Sequence, residues 1–286
     1  MKVVRHMYRT RCLTSRQPPG FGDYLRGSIG LAILAQEQGF SLEIDLSHHP
    51  AGAFLRDKRP PTTSPGEVAE FFNERESLLP EYLAQLRDDE SVSLTTNCRP
   101  NMRKVTDAVR EVVRSQLSWD ESIESTADEA RRQISDGTFA ILHVRVADEH
   151  FHARSVEIGP LCRHIERNVL PAWRGPLAVL SNNQAVKKAL SERYNLPFVS
   201  TGAVHLGECN GVESEIRDTL VDFAILSRAS AIFSHSDYSW DSGFSRWCAC
   251  LHDVPFISIR RSSNPVARVA QTIYDAAARM RRTFSG

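Results

Sequence analysis

The sequence predicts an α/β fold of parallel sheets in two halves, and three features of the chain predict it. From residue 136 onward, short apolar runs alternate with helical stretches, the rhythm of a doubly wound parallel sheet. Near the start, an apolar pair, a loop, a helical stretch and a second strand-like run make up a βαβ unit of the expected size. Between them, Ser91 to Thr95 adds a further strand ahead of an amphipathic helix. Both halves are therefore α/β, which fits two facing Rossmann-like domains with a ligand between them, the first over residues 1–135 and the second over 136–286.

Each element has its own signal. Val3 and Val4 open the first strand, and Pro18-Pro19-Gly20 breaks the chain before Asp23 to Gln38, a helix with Gly39 placed to take the left-handed turn past its end. Ser41 to Leu46 is the second strand, and Arg59-Pro60-Pro61 marks a turn. Glu67 to Arg87 reads as a polar helical stretch, Ser91 to Thr95 as a strand and Val105 to Leu117 as a long amphipathic helix. Thr126 to Ser135, charged and helical, is a candidate hinge. In the second half, strands are expected at Phe139 to Val146, Leu177 to Leu180, Phe198 to Ser200, Ala231 to Ser234 and Phe256 to Ile259. Helices are expected at Leu161 to Leu170, Ala185 to Tyr194, Thr219 to Leu226 and Phe244 to His252, with Asn264 to Arg282 closing the chain.

Composition narrows the function classes. The 286 residues, 41% hydrophobic, suffice for one large core or two modest ones. A net charge of +0 argues against a nucleic-acid partner, which would leave a basic bias. No apolar run approaches the roughly twenty residues of a membrane span, and Met1 to Leu13 lacks the apolar centre of a signal peptide, so a soluble cytoplasmic protein is expected. Six cysteines show no paired framework, which suits a reducing compartment. The ten histidines include no H-E-x-x-H or other metal-type spacing, and no metal site is expected.

Three segments carry candidate chemistry. Ser234, Ser236, Ser239, Ser242 and Ser245 crowd the exit of the strand at Ala231, beside Tyr238, Trp240 and Gly243. Hydroxyls and free backbone N–H groups feeding a helix start suit a phosphate, although serine is also the ordinary residue for capping a helix. Asp222, one helix earlier, is placed to face the same crevice. In the run Phe139 to Val146, His143 and Arg145 share one face of an otherwise apolar strand. A guanidinium there is costly unless it meets an anion, a ligand phosphate or else Asp148 or Glu149. The third segment, Gly20-Phe21-Gly22-Asp23, invites a dinucleotide reading because Asp45 lies about twenty residues on. The spacing opposes it: Leu25 stands where a third glycine is required, and the loop before Gly20 is too long for a tight turn.

In order and separation, these segments resemble the GT-B fucosyltransferase superfamily, in particular the bacterial nodulation α-1,6-fucosyltransferases and, more distantly, the protein O-fucosyltransferases. Gly20-Phe21-Gly22-Asp23 is similar to the family's Gly-Phe-Gly-Asp loop, and His143-Val144-Arg145 to its His-Val-Arg strand. Asp222 to Leu226 and Ser236-Asp237-Tyr238-Ser239 resemble its Asp-x-x-x-Leu helix and Ser-x-Phe-Ser loop. Where the family commonly continues Arg-Gly-Asp or Arg-Thr-Asp, this chain has Val146-Ala147-Asp148.

The resemblance implies a GT-B-like glycosyltransferase, metal-independent and inverting, taking fucose from GDP-fucose to a hydroxyl acceptor such as a glycan. It implies no cofactor beyond the GDP-sugar donor. Asp222 would accept from the paired N–H donors of guanine, and His143 would contact the base or a neighbouring phosphate. Arg145 would neutralise the β-phosphate, while Ser236, Tyr238 and Ser239 would present donors to the pyrophosphate. Gly20, Phe21 and Gly22 would let backbone approach the donor and the reaction centre. Asp23 is the candidate base, with capping of the following helix as its competing role; His48, His49, Asp148 and Glu149 are alternatives. The rival readings are a nucleotide-sugar-binding module without turnover and a glycosyltransferase using another nucleotide sugar.

Overall fold

The computed structural model describes residues 1–9, 19–58, 68–147, 157–199, 205–207 and 212–259. The turn at Arg59-Pro60-Pro61, the acids Asp148 and Glu149, and the closing stretch Asn264 to Arg282 lie outside these residues. The chain divides into two compact units, Met1–Thr126 with Val204–Val221, and Ala127–Ala203 with Asp222–Gly286. The return of 204–221 to the first unit has local causes. Arg217 donates to Thr126 Oγ1 (2.9 Å) and the Ser122 carbonyl (3.4 Å), and His49 Nε2 lies 2.7 Å from the Leu206 carbonyl.

The first unit holds β1 (Val3–Met7), α1 (Phe21–Gln38), β2 (Ser41–Asp45), β3 (Ala69–Phe71), α2 (Leu79–Ala84), β4 (Ser91–Thr96), α3 (Asp107–Arg114) and the start of α4 (Glu121–Ile134). Its sheet is parallel throughout in the order β2-β1-β4-β3. As expected, α1 stops at Gly39, whose φ of 70° lets its N–H reach the Ala35 carbonyl at 2.9 Å. It begins earlier than the sequence suggests, with Gly20 rather than Asp23 as its N-cap. Close packing of α1 on β4 depends on Gly27, where a Cβ would run into the Thr96 carbonyl. At the sheet's edge, Gln116 supplies the bonds of a missing strand: Nε2 donates to the Leu42 carbonyl (3.0 Å) and Oε1 accepts from the Ile44 N–H (2.9 Å).

The stretch Glu67 to Arg87 is not one helix. It divides into β3, a 3-10 turn over Asn73–Leu78 and the short α2. A strand of three residues shows no alternation to read. Its middle residue, Glu70, is buried with its carboxylate 3.9 Å from Arg9, which sets it apart from any apolar run. The amphipathic helix over Val105 to Leu117 is α3, shorter than expected because Thr106 caps it, Oγ1 accepting from the Val109 N–H at 3.3 Å.

The second unit holds the rest of α4, then β5 (Ala140–Arg145), α5 (Gly159–Asn168), β6 (Leu177–Ser181), α6 (Gln184–Tyr194), α7 (Glu213–Arg228, from Asp222), β7 (Ala231–Ser236), α8 (Gly243–His252) and β8 (Phe256–Ser258). Its sheet, also parallel, has the order β6-β5-β7-β8. β5 is buried at five of its six positions and β6 at all five, the near-continuous apolar pattern of strands covered on both faces. Ala140, Leu142 and Val144 pack with Leu161 and Ile165 of α5 and with Val186 and Leu190 of α6. The expected strand at Phe198 forms a single parallel bridge to Val179. The α/β fold with two parallel sheets thus stands as the sequence predicts.

Candidate functional site

The order β6-β5-β7-β8 makes the β5–β7 pair a topological switch point. The chain leaves β5 toward β6 on one side and returns as β7 on the other. At the carboxyl ends of such strands the connections part, and ligands bind there in open α/β sheets. The sequence places His143 and Arg145 at the end of β5, and Ser236 and Tyr238 at and beyond the end of β7. Pairing in register sets His143 against Ser234 and Arg145 against Ser236.

Two side chains fix the backbone past Arg145. Asn182, following β6, accepts from the Val146 N–H (2.9 Å) and donates to the Val146 carbonyl (3.1 Å). Asp237 accepts from the Ala147 N–H at 3.4 Å, and its own N–H donates to the Arg145 carbonyl at 3.0 Å. The Arg145 guanidinium lies over the Tyr238 ring at 6.0 Å from its centroid, and Tyr238 stacks on the exposed Trp240 at 4.9 Å. The cation is thereby held between a rigid strand end and an aromatic face.

His143 is buried against Phe244, with ring centroids 6.1 Å apart, and its Nδ1 has no hydrogen-bond partner among the described residues. Burial first, then the charges of Arg145 and Lys187, push its pKa down to about 3. The imidazole is therefore neutral near neutral pH, a hydrogen-bonding group rather than a cation.

The serines divide by role. Ser234 and Ser245 are buried, with hydroxyls 3.4 Å apart between β7 and α8. Ser236 Oγ accepts from the Tyr238 N–H at 3.3 Å, so that amide and hydroxyl close the loop on itself. Ser239 is exposed. Ser242 is the N-cap of α8 yet makes no side-chain capping bond, which leaves the first-turn amides of α8 uncapped by their own N-cap. Asp241 accepts from Ser258 Oγ at 2.6 Å and pairs with Arg246 at 3.2 Å, tying the start of α8 to β8.

Asp222 is buried on α7, and its Oδ2 lies 3.7 Å from the Nζ of Lys187, a lysine with no exposed surface. Sequence reading missed Lys187. The signal was present: Lys187 lies beside Val186 and three residues before Leu190, on the apolar stripe of α6. The next residue, Phe223, packs edge-on to Phe244 at 5.6 Å, so Asp222 and His143 flank one aromatic cluster.

The other expected residues lie in the first unit. Gly20 is the N-cap of α1, and a Cβ there would stand 3.2 Å from His205 Nε2. Phe21 is a core residue, packed on Tyr8 (5.8 Å) and Trp119 (6.1 Å), and Gly22 is buried behind it. Asp23 is not the cap. It sits in the first turn of α1, its N–H on the Gly20 carbonyl at 2.9 Å and its carboxylate 3.4 Å from Arg26, where an acid suits the helix dipole. His49 is a packing residue. Its ring stacks on Tyr8 at 4.0 Å, Nδ1 accepts from the Ala51 N–H at 3.0 Å, and Nε2–H donates to the Leu206 carbonyl. Asp45 closes its own turn by accepting from the Ser47 N–H at 2.8 Å.

A scan against protein-family models and a search of curated proteins found no match. Among solved structures, the chain is similar to the NodZ α-1,6-fucosyltransferase soaked with GDP-fucose, at 17% identity over 90% of this chain and 94% of that one, with a TM-score of 0.53. It is similar to the fucosyltransferase NodZ from Bradyrhizobium, at 16% identity over 90% and 95% of the two chains, with a TM-score of 0.54. It is also similar to a mutant FUT1 of Arabidopsis thaliana in complex with GDP, at 10% identity over 92% and 71%, with a TM-score of 0.52. At these identities the likeness is one of fold: the chain has a GT-B fucosyltransferase-like architecture of two four-stranded parallel sheets with flanking helices.

Proposed function

We propose that this protein is a glycosyltransferase that takes a sugar, in the first place fucose, from a GDP-sugar to a hydroxyl acceptor. One observation carries the reading: Arg145 and neutral His143 stand together at the β5–β7 switch point, with a helix N-terminus beyond β7. The GDP and GDP-fucose named for neighbours of the same fold support the choice of nucleotide. In this reading Asp222 accepts from the guanine edge, where a carboxylate suits two adjacent N–H donors. His143 completes the base contact as a neutral group. Arg145 gathers the charge that builds on the β-phosphate as the glycosidic bond breaks, and the exposed Ser239 and the loop at Tyr238 lie along the pyrophosphate. An acceptor hydroxyl attacks the sugar from the opposite face, giving inversion, with Asp23 as the candidate base. The acceptor is a glycan or another hydroxyl compound. A cytoplasmic setting suits the buried thiols of Cys98, Cys162 and Cys248.

Calorimetric titration with GDP, UDP, ADP and dTDP tests the assignment. GDP should bind about tenfold or more tighter than UDP, since a hydrogen bond to a charged group contributes on the order of 1.5–3 kcal/mol. Equal or tighter binding of UDP would remove the guanine assignment. Catalysis should also survive excess EDTA, because Arg145 and the α8 N-terminus supply the positive potential that a metal ion supplies elsewhere. Loss of activity in chelator, restored by Mn²⁺, would point to metal-bridged chemistry instead.

A second reading, a nucleotide-sugar-binding module without turnover, is favoured by one feature. After Arg145, where β5 ends, the chain continues with the apolar Val146, which is buried, and Ala147. Slow hydrolysis of the donor sugar in the absence of acceptor separates the two, since a pure binder leaves that bond intact.

A further inference from the structure

Lys187 is a buried charge beside Asp222 to which the proposed function gives no role. Its side chain has no exposed surface, and its Nζ stands 3.7 Å from Asp222 Oδ2, a carboxylate that is itself only 9% exposed. A buried ammonium–carboxylate pair is a weak way to join two helices, because apolar residues of similar volume do so as well or better. The same ammonium acts on His143 and helps keep that imidazole neutral. Lys187 therefore influences both residues assigned to the nucleobase, one on α7 and one on β5.

We propose that Lys187 is the positioning residue of the nucleobase site: its ammonium holds Asp222 ionised and oriented before the nucleotide arrives, and so sets the preference for a base with two adjacent N–H donors. The proposal rests on the reading of Asp222 as the guanine acceptor. An ionised carboxylate is acceptor-only and has about four lone-pair sites, so one ammonium does not exhaust it. A protonated carboxyl carries a donor of its own and opposes a paired-donor edge. A carboxylate this deeply buried takes up a proton readily once its countercharge is removed. Among the described residues, the titratable and charged groups shown near the pair are His143 and Arg145 on β5 and Cys248 and His252 on α8. The last two lie against Phe223, Cys248 Sγ at 3.6 Å from its carbonyl and the His252 ring at 6.0 Å from its ring. Burial holds the Cys248 thiol protonated and His143 neutral, so neither replaces the lysine charge.

The test is GDP affinity by calorimetry from about pH 5.5 to 8.5 for the wild type and Lys187→Met, read as the ratio of the two so that titration of the phosphate cancels. The ratio should show at least a tenfold loss near pH 6 and recover as pH rises, by up to about tenfold per pH unit, as Asp222 ionises without its partner. A structural role alone would leave the ratio flat with pH. An unchanged affinity or a flat ratio overturns the proposal. Should Lys187→Met fail to fold, the variant carrying both Lys187→Met and Asp222→Asn removes both charges and is expected to fold and to lose the preference for GDP over UDP. Retention of that preference in the double variant also overturns the proposal. A wild-type chain that binds no GDP overturns the functional reading itself. A wild type that binds GDP beside an unaffected Lys187→Met variant overturns only the role of Lys187.

Discussion

Arg145→Lys should fold as the wild type does and lose most of its donor binding or turnover. The strand end that carries Arg145 is held by backbone bonds to Asn182 and Asp237, none of which involves its side chain. Those backbone bonds remain when the guanidinium is replaced. Lysine keeps the charge but loses the planar fork that meets phosphate oxygens two at a time, and it loses the flat contact with the Tyr238 ring. Removing a group that stabilises charge in the transition state typically costs about 3–4 kcal/mol, or roughly a hundred- to a thousandfold in rate. GDP titration and donor turnover measure the loss, and circular dichroism checks the fold. A lower melting temperature with unchanged nucleotide affinity would make Arg145 a structural residue.

The second large effect is acid lability of the first unit. His6 is fully buried between Ser28 Oγ (3.0 Å) and the Thr96 backbone, and it stacks on Tyr24 at 4.4 Å. Desolvation lowers its pKa from 6.5 to about 3, and that of His49 to about 4. The unfolded chain protonates both as pH falls through 6.5, whereas the folded unit does not until pH 4 and 3. Stability is thus complete above the unfolded value and is lost on acidification, by about 1.4 kcal/mol per pH unit for each histidine. Between pH 6.5 and about 4.5 the pair removes on the order of 5 kcal/mol, comparable to the whole stability of a small domain. Calorimetric melting should show a steep fall from pH 7 to 5, with uptake of about two protons on unfolding of this unit. His49→Phe, which keeps a ring on Tyr8 but cannot titrate, should remove about half of that slope. A melting temperature flat across this range would contradict the neutral, buried state of both rings.

The strands were legible in the sequence where burial on both faces demands an unbroken apolar run, as in β5, β6 and β7. β3 was not, because its pairing depends on β4 and its central Glu70 is tolerated through Arg9. His143 and Arg145 could be found because polar groups on one face of a buried strand need a reason to be there. Asp222 stood out by its place one helix before the serine-rich loop, where it could face the same crevice. The serine-rich loop was legible only as a choice between phosphate and capping, and the structure divides it: Ser234 and Ser245 pack inside, Ser236 closes the turn, and Ser239 faces solvent.

Local pattern therefore determined the α/β class, the parallel sheets and the polar residues on the β5 face, since periodicity and burial are properties of a short window. Tertiary structure alone decided the rest. A lysine on a helix ordinarily points to water, and only the packing of α6 near α7 shuts Lys187 away beside Asp222. Asp23 reads as a cap, but the helix already begins at Phe21 and Gly20 takes that position. Residues 204–221 return to the first unit through bonds to partners as distant in sequence as Leu206 from His49. Contacts made across such separations leave no periodic mark in the chain, because the partner that satisfies each group is absent from its neighbourhood until the fold brings it there.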